Sequence, residues 1–338
     1  MTNASDTVGD PPARAARARP IAWARLAEAS ALVAATILLA LVFGVLEPGS
    51  FLSWANLSSM LGSQAVLVVL SLALIIPLTA GDFDLSIASN LTMASMIIAV
   101  LNARSGWPLS AAMAVAIAAG VIVGLVNAGF ILYFRIPSLI VTLGTSTFIS
   151  GVVLWMCGGS TISGIDEGLI DWVVAMRFLG IPLVFYYALI LCAALWWFLG
   201  YTTPGRRLLF VGRGREVSRL SGIHVEKVRL LCLIASGVVS AADGILYAGT
   251  IGAADPNSGQ TFLLPAFAAA FLGATSITPG RFNAWGTLVA VYFLVIGITG
   301  LTMLGIDTFV QNLFYGGALV LAVALSQLVR KREAQDFS

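Results

Sequence analysis

Histidine is nearly absent from this 338-residue chain, cysteine is scarce, and charged side chains make up only 10% of it. The single histidine, His224, has no second ligating side chain near it in sequence, so neither a metal centre nor a histidine-based catalytic pair is expected. Cys157, Cys192 and Cys232 lie in or at the ends of apolar segments without CxxC or other metal-ligand spacing, and read as small hydrophobes. No GxxxxGK[ST] stretch occurs, which excludes a P-loop on this chain. A soluble surface normally needs about a quarter of the residues charged. With 59% hydrophobic residues and a mean hydropathy of +0.97, this chain cannot present one. The composition is that of an all-α polytopic membrane protein. The net charge of +2 says little about partners, and nucleic-acid binding has no support.

What charge there is has an uneven distribution. Residues 201–229 hold Arg206, Arg207, Arg213, Arg215, Arg219, Lys227 and Arg229, seven of the eighteen Lys and Arg, between two long apolar blocks. Short loops rich in Lys and Arg stay on the cytoplasmic side, so this island orients the chain. Within it, Gly212 and Gly214 flank Arg213, and Arg215 to Ser221 reads as a short helix closed by Gly222. Val217, Leu220 and Ile223 would share one face, with Arg215 and Arg219 pointing elsewhere. Two readings fit: a docking knob held by membrane helices on both sides, and a solvated loop that obeys the positive-inside rule.

Residues 1–25 are polar and basic and read as a disordered cytoplasmic tail. The transmembrane domain is expected over 26–329 and a second cytoplasmic tail over 330–338. Apolar runs at 26–46, 60–78, 85–101, 108–132, 138–157, 181–200, 228–249, 262–279, 284–304 and 308–328 predict about ten transmembrane helices. The first is long enough to span and lacks a cleavage site, which separates it from a signal peptide. Ten spans place both termini, the island, Arg135 and Arg281 inside and leave only Arg104 and Arg177 outside, as the positive-inside rule requires.

Two spans are interrupted, by Pro77 and Gly81 at IIPLTAGDFDLS and by Pro265, Pro279 and Gly280 further on. Such breaks in separate halves of a transporter point to a substrate path. After the first, Asp82 and Asp84 precede a helix whose Ser86, Ser89 and Asn90 share a face, suited to a neutral polyhydroxylated solute. Simple N-capping by Asp84 and helix packing by the polar face account for the same pattern. Thr142, Thr145 and Ser146 make a second polar stripe, whose hydroxyls could equally bond back to their own helix. Asp243, well inside the seventh span, must find a partner or protonate. Gly120 and Gly124, spaced as GxxxG, read as a close-packing face. Outside, one loop carries Asp166, Glu167 and Asp171 with an amphipathic stretch 169–178, and a second, 252–261, carries Asp255 and Asn257. Both are candidate contacts for an extracytoplasmic protein, and plain solvated connections read as well.

The motifs resemble those of ABC importer permeases for ribose and related monosaccharides. GDFDLSIASN is similar to that family's GGIDLSVGS-type signature, TLGTSTFISG to its TLGT-containing span, and the island to its GRNPEAARLSGI-type loop. DPNSG and LPAFAAAFLGATSITPGRFNAWGTLVA extend the likeness, which covers 26–332. The resemblance implies a ten-span permease of the bacterial inner membrane, paired with a second copy or a paralogue. The island would supply a coupling helix, with Arg213, Arg215, Glu216, Val217, Arg219, Leu220, Gly222 and Ile223 facing a cytoplasmic ATP-binding subunit. That subunit, not this chain, would bind ATP and Mg, and a periplasmic sugar-binding protein would meet the outer loops. Against the EAA-x3-G pattern, Glu216 and Gly222 match, while Val217 and Ser218 replace the two alanines. Asp82 stands where the family usually has a second glycine, Phe83 replaces an aliphatic residue, and Asp243 stands where small or apolar residues are usual. A proton-coupled secondary transporter using Asp243 is the alternative. A membrane enzyme would need clustered His, Asp or Glu that the chain lacks.

Overall fold

A computed structural model describes the backbone of residues 22–307 and 309–336, with side chains for 30–307 and 309–324. Most of the expected 1–25 tail, with Arg14, Arg17 and Arg19, lies outside the described residues, as do the side chains of Arg330, Lys331 and Arg332. The helices in chain order are α1 (Ala22–Leu46), α2 (Trp54–Ser63), α3 (Ala65–Thr79), α4 (Ser86–Ile98), α5 (Leu109–Ala128), α6 (Ser138–Cys157) and α7 (Glu167–Ile170). They continue with α8 (Leu183–Tyr201), α9 (Thr203–Arg213), α10 (Arg215–Leu220), α11 (Val225–Ile251), α12 (Ser258–Gly273), α13 (Ala284–Met303) and α14 (Phe309–Asp336). α4 and α5 each run on through a π-helical turn, at Ala99–Arg104 and Gly129–Tyr133. Four two-residue strands, β1 (Ile162–Ser163), β2 (Arg177–Phe178), β3 (Ile181–Pro182) and β4 (Ala253–Ala254), pair as β1 with β4 and β2 with β3.

Helix ends follow the local sequence. Ser53, Thr202 and Asn283 cap α2, α9 and α13 by accepting from the backbone N–H of Asn56, Gly205 and Gly286. α6 and α11 stop at Gly158 and Gly252, both left-handed, a conformation glycine adopts without strain. α12 departs from the expected 262–279 span. It begins at Ser258 and stops at Gly273, because Ile277 and Gly280 take positive φ and the Asn283 amide ties the exit turn to the carbonyls of Gly273, Ser276 and Arg281. The expected amphipathic stretch 169–178 is also divided, into α7, a π-helical turn at Asp171–Ala175 and β2.

Among the described residues, seven helices are long and apolar enough to cross a membrane: Trp54–Thr79, Ser86–Arg104, Leu109–Tyr133, Ser138–Cys157, Leu183–Tyr201, Val225–Ile251 and Ala284–Met303. Three shorter apolar helices, Ser30–Leu46, Ser258–Gly273 and Phe309–Ala324, stand where the first, eighth and tenth spans are expected. The protein is therefore an all-helical polytopic membrane protein. α3 is apolar all round and every one of its residues is buried, which makes it the axis of the bundle. It is surrounded by α4, α8, α11, α12 and α13, while α11 also packs along α4 and α5. Large apolar side chains face outward from the peripheral helices, such as Leu38 and Leu41 on α1, Ile122 on α5 and Leu313 and Val320 on α14. In a protein whose solvent is lipid, such a surface is the expected one.

Small residues let the central helices touch. A Cβ on Gly120 would fall on the Gly237 carbonyl oxygen and 2.6 Å from the Cβ of Ala241; one on Gly124 would come within 2.6 Å of the Ile234 Cα. The GxxxG face of α5 is thus a close-packing face against α11, as its spacing predicts. Gly244 of α11 meets the Leu91 carbonyl of α4 in the same way.

Candidate functional site

The GDFDLS segment connects α3 to α4 and joins two regions that the sequence leaves apart. Pro77 sits in the last turn of α3, Gly81 takes φ +79°, and the Asp82 N–H returns to the Pro77 carbonyl at 2.9 Å. This tight reversal drives Asp82 toward the basic island. Arg229, in the second turn of α11, donates from Nε to Asp82 Oδ2 and from Nη2 to Oδ1, both at 2.7 Å. Arg215, the first residue of α10, donates from Nη2 to Asp82 Oδ1 at 3.0 Å and to the Gly81 carbonyl at 3.0 Å. Asp82 is 2% exposed, so its acidic charge is enclosed between two guanidinium groups. The acid that stands in place of the family's usual second glycine is thus paired with two arginines.

Asp84 points the other way, into the bundle. Its Oδ1 accepts from the Ser86 backbone N–H at 3.0 Å and hydroxyl at 2.6 Å, and its Oδ2 accepts from the Ser236 hydroxyl at 2.8 Å. Asp84 does organise the start of α4, and also cross-links α4 to α11. Arg229 and Ser236, the two α11 partners, are seven residues apart, about 10 Å or two turns along that helix.

Above Asp84 lies a buried polar layer. Asn127 of α5 donates to the Ser86 hydroxyl at 2.8 Å. Asn90 donates to the Gly237 carbonyl and the Ser240 hydroxyl, both at 2.7 Å. Ser89 of α4 and Ser146 of α6 share a hydrogen bond between their hydroxyls. Thr142 bonds back to the Ser138 carbonyl and also reaches the Phe83 carbonyl, while Thr145 is half-buried. So Asp84, Ser86, Ser89, Asn90, Thr142 and Ser146 are brought together between α4, α5, α6 and α11, and Asp82 is not part of that cluster. Three acceptor groups in this region find no hydrogen-bond partner among the described residues: Asn90 Oδ1, Asn127 Oδ1 and both oxygens of the fully buried Asp243. Asp243 thus meets neither a neighbouring helix's donor nor a cation.

The predicted short helix of the island is α10, and Gly222 closes it with φ +78°. Val217 and Leu220 stand out from it, 68% and 89% exposed, with Ile223 half-buried beside them. Ser218 faces inward, buried, its hydroxyl on the Gly214 carbonyl at 2.8 Å. Glu216 is exposed and pairs with Arg219 at 3.0 Å, and Arg219 reaches on to Glu226 at 2.6 Å. The hydrogen bond to Glu226, then the charge of Glu216, hold the Arg219 pKa above its ordinary value. Arg213 is exposed.

At the opposite end the two outer loops form one surface. β1 and β4 pair, and Asp255 accepts from the Thr161 hydroxyl at 3.0 Å and from the Asn257 N–H at 2.9 Å. Asp166 caps α7 through the Gly168 N–H, and Asp166, Glu167, Asp171 and Asn257 are exposed on that surface. Among the described residues, no group of three or more His, Cys, Asp or Glu could hold a metal ion.

Sequence reasoning missed Arg229, Asn127, Ser236 and Ser240. Asn127 lies on the helical face of Gly120 and Gly124, and Ser236 and Ser240 share a face with Asp243, so helical spacing was a usable signal for these three. Nothing local marks Arg229 as the partner of a residue 147 positions away.

The chain matches the family model described as branched-chain amino acid transport system / permease component over residues 56–323. It is 31% identical to the galactose/methyl galactoside import permease protein of Salmonella typhimurium, covering 91% of this chain and 96% of that one. It is 28% identical to the D-allose transport system permease protein of Escherichia coli, over 86% and 89% of the two chains. It is 29% identical to the autoinducer 2 import system permease protein of Photorhabdus laumondii, over 87% and 89%.

Proposed function

This chain belongs to the family of branched-chain amino acid transport system permease components, and we propose that it is the membrane-spanning subunit of an ATP-driven importer for a monosaccharide or a related furanosyl compound. Its relatives are transport permeases, not enzymes, and those named above carry sugars or autoinducer 2 rather than amino acids. Pentoses, hexoses and sugar alcohols are the substrates in question. The relatives favour this reading over proton-coupled secondary transport.

The observation that carries the proposal is α10, a one-and-a-half-turn helix fixed between α9 and α11 that leaves Val217 and Leu220 uncovered. Two apolar side chains outside the bundle, ringed by Arg213, Glu216 and Arg219, suit insertion into a cleft of a cytoplasmic protein. In this reading that protein is the ATP-binding subunit, which holds ATP and Mg. Its opening and closing move α10, and alternating access follows. A second copy or a paralogue completes the membrane part, and a periplasmic sugar-binding protein docks on the surface that carries Asp166, Glu167, Asp171, Asp255 and Asn257. Both termini lie in the cytoplasm, and α1, α12 and α14 complete a set of ten spans.

The buried layer supports a place for the substrate path. A sugar exchanges hydrogen bonds with water for hydrogen bonds with protein, and Asn90 and Asn127 each retain a carbonyl acceptor facing no donor. Ser86, Ser89, Thr142, Thr145 and Ser146 would line the same route.

Co-purification of tagged protein from mild detergent, followed by mass spectrometry, tests the proposal. An ATPase is expected in stoichiometric amount, lost when Glu216 and Gly222 are both replaced by Ala while membrane insertion persists. Recovery of the chain alone, together with uptake that survives ATP depletion and collapses with the proton gradient, would sink it and turn attention to Asp243.

A further inference from the structure

We propose that Asp82 is a positioning residue that fastens the coupling helix to the base of the transport core, so that a displacement of α10 is carried into both the α3–α4 turn and α11. The inference rests on α10 being the coupling helix. Its physical basis is the convergence of three separate segments on one carboxylate.

Arg215 begins α10, Arg229 lies in the second turn of α11, and Asp82 lies in the reversal that follows α3. Arg229 meets both carboxylate oxygens in a two-pronged geometry, which fixes orientation as well as distance. Arg215 bonds the same carboxylate and the Gly81 carbonyl through one nitrogen, so it cannot leave Asp82 without also leaving the backbone of the turn. The end of α9 presses on the same place: a Cβ on Gly212 would overlap the Thr79 carbonyl oxygen. A stiff contact therefore exists on each side of α10's first residue.

The remainder of the route is short. Asp84, two residues on, is bonded to Ser236 of α11 and to Ser86, and Ser86 accepts from Asn127. A push on α10 thus reaches the buried polar layer through one ion-paired side chain and one turn of backbone. Asp82 occupies the place where the resembling signature carries glycine, and a glycine has no side chain for either arginine to hold. In this chain the turn is gripped through a side chain.

A nitroxide on Leu220→Cys reads the fastening in the isolated permease, since Cys157, Cys192 and Cys232 are buried and leave position 220 as the accessible thiol. Asp82→Asn should increase the mobility of that nitroxide. In the complex with its ATPase and binding protein, sugar imported per ATP hydrolysed should fall about tenfold, the scale on which residues along a coupling route act. Should Asp82→Asn fail to reach the membrane, Arg215→Gln leaves the Asp82–Arg229 pair in place and removes only the hold on α10, with the same two changes expected. An unchanged nitroxide spectrum in both variants, or an unchanged import-to-hydrolysis ratio in a variant that folds, overturns the proposal. Absence of any ATPase from the wild-type complex would refute the importer reading instead, and the spectrum of the permease alone would still decide whether Asp82 holds α10.

Discussion

Replacing Gly120 by Ala adds one methyl group where the backbones of α5 and α11 are in contact. That carbon would overlap the Gly237 carbonyl oxygen and sit 2.6 Å from the Ala241 Cβ. Carbon atoms prefer about 3.5 to 4.0 Å, so the helices must part by roughly 1 Å. Overpacking of this kind costs about 1–3 kcal/mol. The parting also strains the Asn90 bond to the Gly237 carbonyl and the Asn127 bond to Ser86, each worth about 0.6 kcal/mol in a membrane bundle. Gly144→Ala on α6 is the internal control, because nothing lies within 4 Å of its added carbon. Alanine there should be neutral or gain up to about 1 kcal/mol of helix propensity. Both substitutions gain the same helix propensity, so their difference, roughly 1–4 kcal/mol, reports the α5–α11 contact together with the two bonds beside it. The assay is the melting temperature of each variant in one detergent, read as the surviving monodisperse fraction after heating. Equal melting temperatures for the two variants would refute the close-packed arrangement.

Two further substitutions address the buried layer. Asp243→Leu removes a carboxyl group with no partner and fills the space with apolar atoms, so the same heating assay should show equal or greater stability than wild type, whereas a drop would mean that Asp243 has a partner in the assembled protein. Asn90→Ala deletes two cross-helix bonds and one free acceptor; sugar uptake should fall at least about tenfold, as when a hydrogen-bonded site loses its polar group, and uptake at the wild-type rate would remove Asn90 from the path.

Most of the fold was legible because it rests on local patterns. Apolar runs, the Gly-closed helix at 215–220 and the GxxxG face of α5 all depend on residues a few positions apart; the structure bears out the last two, and seven of the ten expected spans are helices long and apolar enough to cross a membrane. The exit of α12 was not, since it depends on Ile277 entering the left-handed region and on one Asn283 amide that gathers three carbonyls. Hydropathy carries no trace of that turn. The candidate site divides the same way: Ser86, Ser89 and Asn90 share a helical face that spacing reveals, whereas the pairing of Ser86 with Asn127, of Asn90 with Ser240 and of Asp84 with Ser236 joins segments far apart in the chain.

Asp82 and Asp84 show why spacing alone could not separate the two halves of the proposed mechanism. In sequence they are two acids in one short turn, both candidates for the substrate path. The turn after α3 sends their side chains to different neighbours: one to Arg215 and Arg229, the other to Ser86 and Ser236. A carboxylate between two guanidinium groups is held in orientation by three hydrogen bonds, and Asp82 is buried beneath them, away from the polar layer. A carboxylate held by serine hydroxyls belongs to a network whose members can exchange one hydroxyl for another, including one on a sugar. In the proposed mechanism the segment thus meets the coupling helix through Asp82 and the polar layer through Asp84. Any motion that tilts α11 about the Arg229 grip must shift Ser236 and Ser240 against α4, and with them the hydrogen bonds of the polar layer.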